Sequence, residues 1–113
     1  MQDIHAKVRF LPQSAQKVRA VIELVRGKSA NEALEILHFV NKRAAMPVRK
    51  LVASAVANAE ENFGVSRDDL YVAKITADEA PTRKWRRFGA RGRFKPILRR
   101  SSHITVVLRE RGA

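Results

Sequence analysis

The chain has 113 residues and no cysteine, and its 23 Lys plus Arg against 11 Asp plus Glu give a formal net charge of +12. An apolar content of 45% supplies a core and excludes a wholly disordered chain, while the lack of cysteine excludes a disulfide framework, a thiolate zinc site and a cysteine nucleophile. The length fits one domain, no apolar run approaches the roughly 20 residues that span a bilayer, and so large a charge points to a polyanionic partner, nucleic acid first.

Residues 2–10 alternate, with Ile4, Ala6, Val8 and Phe10 on one side and His5, Lys7 and Arg9 on the other. That is the period of a half-buried strand. Leu11-Pro12 breaks it, and Ser14 is placed to cap a helix. Val18, Val21, Ile22 and Val25 recur at helical spacing, and Gly27 is the natural stop. Ser29-Ala30-Asn31-Glu32 matches a capping box, so a short helix follows with Leu34, Leu37 and Phe39 or Val40 on its apolar face. Asn41-Lys42-Arg43 reads as a polar joint. A longer helix is predicted from about Arg43 to Asn62, with Pro47 tolerated in its first turn and Gly64 closing it. Its stripe is Val48, Leu51, Val52, Ala55, Val56 and Ala59, and its alanines permit close approach to a neighbour.

Residues 70–77 are rich in β-formers and read as a strand, followed by a turn at Asp78-Glu79-Ala80-Pro81. Residues 102–108 alternate again, with Ile104, Val106 and Leu108 on one face and His103, Thr105 and Val107 on the other. These two strands are expected to pair antiparallel as the arms of one hairpin.

The charge is concentrated between those arms. Residues 1–79 hold 12 Lys/Arg and 10 Asp/Glu, whereas residues 80–109 hold 10 Lys/Arg and no acid. Arg83, Lys84, Arg86, Arg87, Arg91, Arg93, Lys95, Arg99 and Arg100 fall within 18 residues, together with Trp85, Phe88 and Phe94. About 20 residues separate the predicted strands, longer than an ordinary loop inside a domain. Gly89 and Gly92 permit a reversal near the middle. If the strands continue, each arm gains roughly 8 to 10 residues, or about 30 Å. Such a ribbon has no core of its own, and its order is expected to come mainly from its partner.

Guanidinium groups pair with phosphate and stack on bases, aromatic rings supply stacking surfaces, and glycines let the backbone approach closely. A merely solubilising loop mixes signs and omits Trp, and a membrane-surface segment needs an amphipathic face that is missing here. Gly89-Ala90-Arg91-Gly92-Arg93 lacks the Gly-Lys-Ser/Thr and helix of a nucleotide-cradling loop. Ser101-Ser102-His103 with Asp78-Glu79 invites a hydrolase reading, but no nucleophile elbow or oxyanion site accompanies it. His103 reads as a phosphate or sugar contact or as an exposed residue. Asp78-Glu79 as a metal pair is the weaker reading beside a turn, and His5, His38 and His103 lack zinc-ligand spacing. No cofactor, metal or catalytic residue is expected. Lys17, Arg19, Arg26 and Lys28 flank the first helix as a second phosphate-binding surface or as ordinary solvated positions. Lys42-Arg43 and Arg49-Lys50 pose the same choice, with the solvated reading favoured.

Several blocks fall in one family's order. They are Ser14-Ala15-Gln16-Lys17-Val18-Arg19, Ile22-Glu23-Leu24-Val25-Arg26-Gly27-Lys28, Asn31-Glu32-Ala33, Ala55-Val56-Ala57-Asn58-Ala59, Asp78-Glu79-Ala80-Pro81, Ala90-Arg91-Gly92-Arg93 and Ser102-His103-Ile104-Thr105-Val106-Val107. Over nearly its whole length the chain resembles the ribosomal protein twenty-two family of the large subunit, bacterial type. The resemblance implies an α+β fold, three helices packed on a small antiparallel sheet with a long protruding β-hairpin. It implies a body of residues 1–79 and 101–113 and an extended basic arm of residues 80–100. It further implies binding to 23S rRNA, a part in early subunit assembly, and a hairpin lining the polypeptide exit tunnel beside large-subunit protein four. The nascent peptide passes such a hairpin, and changes at its tip alter macrolide sensitivity.

Carried onto this chain, the tunnel-lining tip is Lys84, Trp85, Arg86, Arg87, Phe88, Gly89, Ala90, Arg91, Gly92 and Arg93. rRNA contacts are expected at Lys17, Arg19, Arg26, Lys28, the nine cations of residues 83–100, Trp85 and His103. The chain departs from the family at Ala80, usually Gly, at Phe88-Gly89, usually Pro-Arg, and at Trp85, commonly basic. A DNA-bending architectural protein and a small nuclease are the rival readings. The start has no basic region followed by an apolar one, so no signal peptide is expected, and the ribosome-bound protein is expected in the cytoplasm with no membrane partner.

Overall fold

The computed structural model describes residues 3–81, 83–88 and 94–111, with 83–88 and 94–99 described as backbone. In chain order, strand β1 (Asp3–Leu11) leads to helices α1 (Ala15–Ile22), α2 (Ala30–Phe39) and α3 (Ala45–Phe63). A single 3-10 turn at Arg67–Asp69 precedes β2 (Leu70–Glu79), β3 (Arg83–Phe88), β4 (Phe94–Arg99) and β5 (Ser102–Glu110). The fold is α+β: three helices packed on a three-stranded antiparallel sheet of order β1-β5-β2, with β3 and β4 paired as a separate two-stranded ribbon.

β5 is the central strand, and its alternation fits that place. Ile104, Val106 and Leu108 are buried toward the helices, and Val107 is buried on the opposite face. Ile104 stands opposite Val8 on one side and Ala77 on the other, and Leu108 opposite Ile4 and Val72. The helices lie on this face, and the predicted stripe of α3 (Val48, Leu51, Val52, Ala55, Val56, Ala59) is wholly buried. Its alanines let the helix lie close to its neighbours, because only a methyl group separates the backbones there. Gly64, at φ 65°, closes α3 in the left-handed conformation that glycine adopts without strain.

Local expectations differ from the structure at four places. α1 ends at Ile22 rather than running to Gly27, and turns follow to Lys28. The amide of Gly27 donates to the Val72 carbonyl and the amide of Val72 donates to the Lys28 carbonyl, so pairing with β2 takes the backbone from the helix. Only one half of the capping box forms: Ser29 Oγ accepts from the Glu32 amide at 3.3 Å. Asp78-Glu79 does not turn; both residues belong to β2, opposite His103 and Ser102.

The fourth difference concerns Phe10. Ile4 is buried and Ala6 and Val8 pack against the core, as the alternation requires. A register shift between Val8 and Leu11 then moves the pattern by one residue. Leu11 takes the inward place, while Phe10 swings out with φ 55° and 57% exposure.

At the other end of the β1–β5 ladder, Arg109 holds Asp3 through two hydrogen bonds, from Nε at 2.7 Å and from Nη2 at 3.3 Å. These bonds, and then the guanidinium charge, hold the Asp3 carboxyl below its ordinary value. A folded value below the unfolded one adds stability above the unfolded value, and that stability is lost as pH falls through the folded one.

Candidate nucleic-acid interface

The basic segment leads out of the sheet into the separate two-stranded ribbon. β2 leads through Ala80-Pro81 to β3, and β4 leads through Arg100-Ser101 to β5. At the joint the Ala80 amide donates to the Ser101 carbonyl at 3.0 Å. Beyond it β3 pairs with β4 from Arg83 opposite Arg99 to Phe88 opposite Phe94. The molecule extends 67 Å along its longest axis but only 25 and 18 Å across, with a radius of gyration of 17.3 Å. A compact domain of this size has a radius nearer about 13 Å.

The ribbon's chemistry asks for an anion. The register sets Arg83 opposite Arg99 and Arg87 opposite Lys95, and like charges in directly opposed positions destabilise a sheet. An isolated two-stranded ribbon is marginal in water even without that repulsion. Phosphates between the opposed cations would turn the repulsion into attraction. The tip residues Gly89, Ala90, Arg91, Gly92 and Arg93 lie outside the described residues.

At the foot of the ribbon a groove of about 1020 Å³ runs between the start of α1, the α2–α3 joint and Arg100. Lys17, Lys42, Arg43 and Arg100 line it, with no acidic residue. Gln13 Nε2 donates to the Arg43 carbonyl at 3.4 Å and ties two of its walls together. Among the described residues two ion pairs occur, Arg67–Glu60 and Arg109–Asp3, and none of the four groove cations enters either. Lys42 and Arg43 are therefore part of a basic surface, although their sequence context favours ordinary solvation. The joint between α2 and α3 is what brings them to Lys17 and Arg100, which are distant in sequence.

The four cations flanking the first helix, Lys17, Arg19, Arg26 and Lys28, are all exposed, but two of them also hold backbone carbonyls. Arg19 Nε donates to the Ala77 carbonyl and Arg26 Nη2 to the Ile75 carbonyl, each at 3.0 Å. β2 is an edge strand of the body sheet, so both arginines satisfy carbonyls that no neighbouring strand reaches. Arg26→Met is expected to lower stability by about 1–2 kcal/mol, seen as a fall of roughly 5–15 °C in melting temperature. An unchanged melting temperature with a weaker salt dependence of rRNA binding would assign the guanidinium to RNA instead.

His103, opposite Asp78 across the strands, accepts a hydrogen bond on Nδ1 from the Phe10 amide at 3.0 Å. Of the two serines beside it, Ser102 is fully buried and Ser101 half-buried. Among the described residues no cluster of three or more His, Asp or Glu is arranged to hold a metal ion. No helix among them is long and apolar enough to cross a membrane.

The family model described as Ribosomal protein L22p/L17e matches residues 6–109. The chain belongs to that family. The match runs through body and ribbon alike and takes in every candidate contact residue from Lys17 to His103. Members of the L22p/L17e family are structural constituents of the large ribosomal subunit that bind rRNA, so this chain is a ribosomal protein of translation. The DNA-architectural and nuclease readings are thereby left without support.

Proposed function

We propose that the protein anchors its body, residues 1–79 and 101–113, on the large subunit and lays its arm, residues 80–100, along the polypeptide exit tunnel. The observation that carries this reading is the ribbon itself: two paired strands, nine cations and no acid across residues 83–100, projecting from a nearly neutral body. Arg83, Lys84, Arg86, Arg87, Arg91, Arg93, Lys95, Arg99 and Arg100 neutralise phosphates of 23S rRNA, and Trp85 offers a stacking ring. Lys17, Lys28 and His103 extend the contact over the body, and Arg19 and Arg26 join them wherever RNA reaches the β2 edge. The tip, Lys84 to Arg93, stands in the tunnel wall beside protein four, in the path of the nascent peptide and near the site where macrolides act. Neutralising opposed cations also orders the arm, which ties the protein to early folding of the RNA.

Replacing Arg91 with a photo-crosslinking residue in translating ribosomes tests the tunnel placement. Crosslinks to the nascent chain are expected. Crosslinks confined to rRNA and proteins of the outer surface would place the tip elsewhere.

A further inference from the structure

We propose that Phe10 is a stacking platform for one unpaired rRNA nucleotide whose phosphate lies in the adjacent basic groove. The inference rests on the rRNA-binding reading and adds to it a site on the body, away from the arm. Among the described residues Phe10 is the non-glycine residue with positive φ, at 55°, a conformation disfavoured for a bulky aromatic side chain. The residue is 57% exposed. Glycine or asparagine would take the same backbone conformation with less strain and no exposed apolar ring.

Three features hold the ring outward. The register shift in β1 turns it away from the core. His103 Nδ1 accepts its amide hydrogen. The His103 ring also packs edge-to-face against it, with centroids 4.7 Å apart and planes at 88°. The fold thus holds a largely exposed aromatic ring outside the core, packed against His103.

The surroundings select the partner. Phe10 lies two residues before Pro12, which lines the groove, and His103 lies three residues after Arg100, which lines it from the other side. Two residues of extended chain span at most about 7 Å. The backbone of Phe10 is thereby set near the Pro12 wall of a groove that Lys17, Lys42, Arg43 and Arg100 line with no acid. A nucleotide joins the two matching chemistries in one molecule, a flat π face and a phosphate. A protein segment docking on the ring would have to bring its own acidic residues to meet four cations.

Stacking and phosphate pairing differ in salt dependence, and this difference supplies the test. The full-length protein is titrated with 23S rRNA over a range of salt concentrations, with melting temperature measured in parallel as a check on folding. Phe10→Leu, which keeps apolar bulk but removes the π face, is expected to weaken binding by roughly 5- to 150-fold with the salt slope unchanged. Phe10→Tyr is expected to bind within about threefold of the parent, since a phenol ring stacks as well. Lys42→Gln is expected to do the reverse of Phe10→Leu, flattening the slope by about 0.7 to 0.9 for the phosphate that Lys42 neutralises. Parental affinity in Phe10→Leu would overturn the platform and leave rRNA binding intact. Loss of a neighbouring protein from subunits carrying Phe10→Leu, with RNA affinity unchanged, would overturn it in favour of a protein partner. Failure of the unaltered protein to bind 23S rRNA would remove the reading on which the platform rests.

Discussion

Deleting residues 83–100 is expected to cut the salt dependence of rRNA binding more than any other change to this chain. Each phosphate neutralised adds roughly 0.7 to 0.9 to the slope of log affinity on log salt. If all nine cations of the segment meet phosphate, the slope falls by about 6 to 8. The body has a structural reason to survive the deletion. Glu79 already stands opposite Ser102, and the Ala80 amide already donates to the Ser101 carbonyl. The deletion leaves Ala80, Pro81, Thr82 and Ser101 between them, an ordinary length for a hairpin connection. A salt titration against 23S rRNA checks the result, with the melting temperature reporting the fold. An unchanged slope would assign binding to the body and its groove.

The second large effect is on stability. Leu108 is fully buried in the central strand, between Ile4 on β1 and Val72 on β2. Leu108→Ala removes its packing against both flanking strands and the helices above, at a cost of about 2–5 kcal/mol. Domains of this kind hold about 5–15 kcal/mol in total, so a fall of roughly 10 °C or more in melting temperature is expected for the free protein. Phe39→Ala is the contrast. That residue, 76% exposed at the end of α2, contributes little to packing, and removal of its ring is expected to stay within about 0.5 kcal/mol. Comparable destabilisation in the two variants would contradict the core as described.

What was legible in the sequence follows from which forces are local. The α3 stripe and the alternation of β5 are set by side chains of the element itself, and both fold as their periods indicate. Gly64 closes its helix for an equally local reason. Phe10 belongs to the apolar side by alternation, and only the pairing of β1 with β5 introduces the register shift that expels it. α1 stops short of Gly27 because β2, far along the chain, claims the backbone of Gly27 and Lys28. Arg19 and Arg26 look like ordinary surface cations until the sheet order shows which carbonyls lack partners. Lys42 and Arg43 look equally ordinary until the helix joint sets them beside Lys17 and Arg100. The arm is legible in composition but not in pattern. No apolar period marks its strands in the sequence, and charge and aromatic content are the whole signal.

The repulsion built into the arm connects these observations to function. Arg83 opposite Arg99 and Arg87 opposite Lys95 would be a defect in a free-standing sheet. Such pairs make sense in a ribbon whose counter-charges come from RNA. A nearly neutral body folds by burial, and the proposed arm would find its counter-charges in the subunit.

The most direct measurement is retention of the intact protein on large ribosomal subunits through a high-salt wash. A ribbon threaded into folded rRNA is held by shape as well as charge, so the protein is predicted to sediment with the subunits after the wash. Its release into the supernatant together with loosely bound basic proteins would contradict the account.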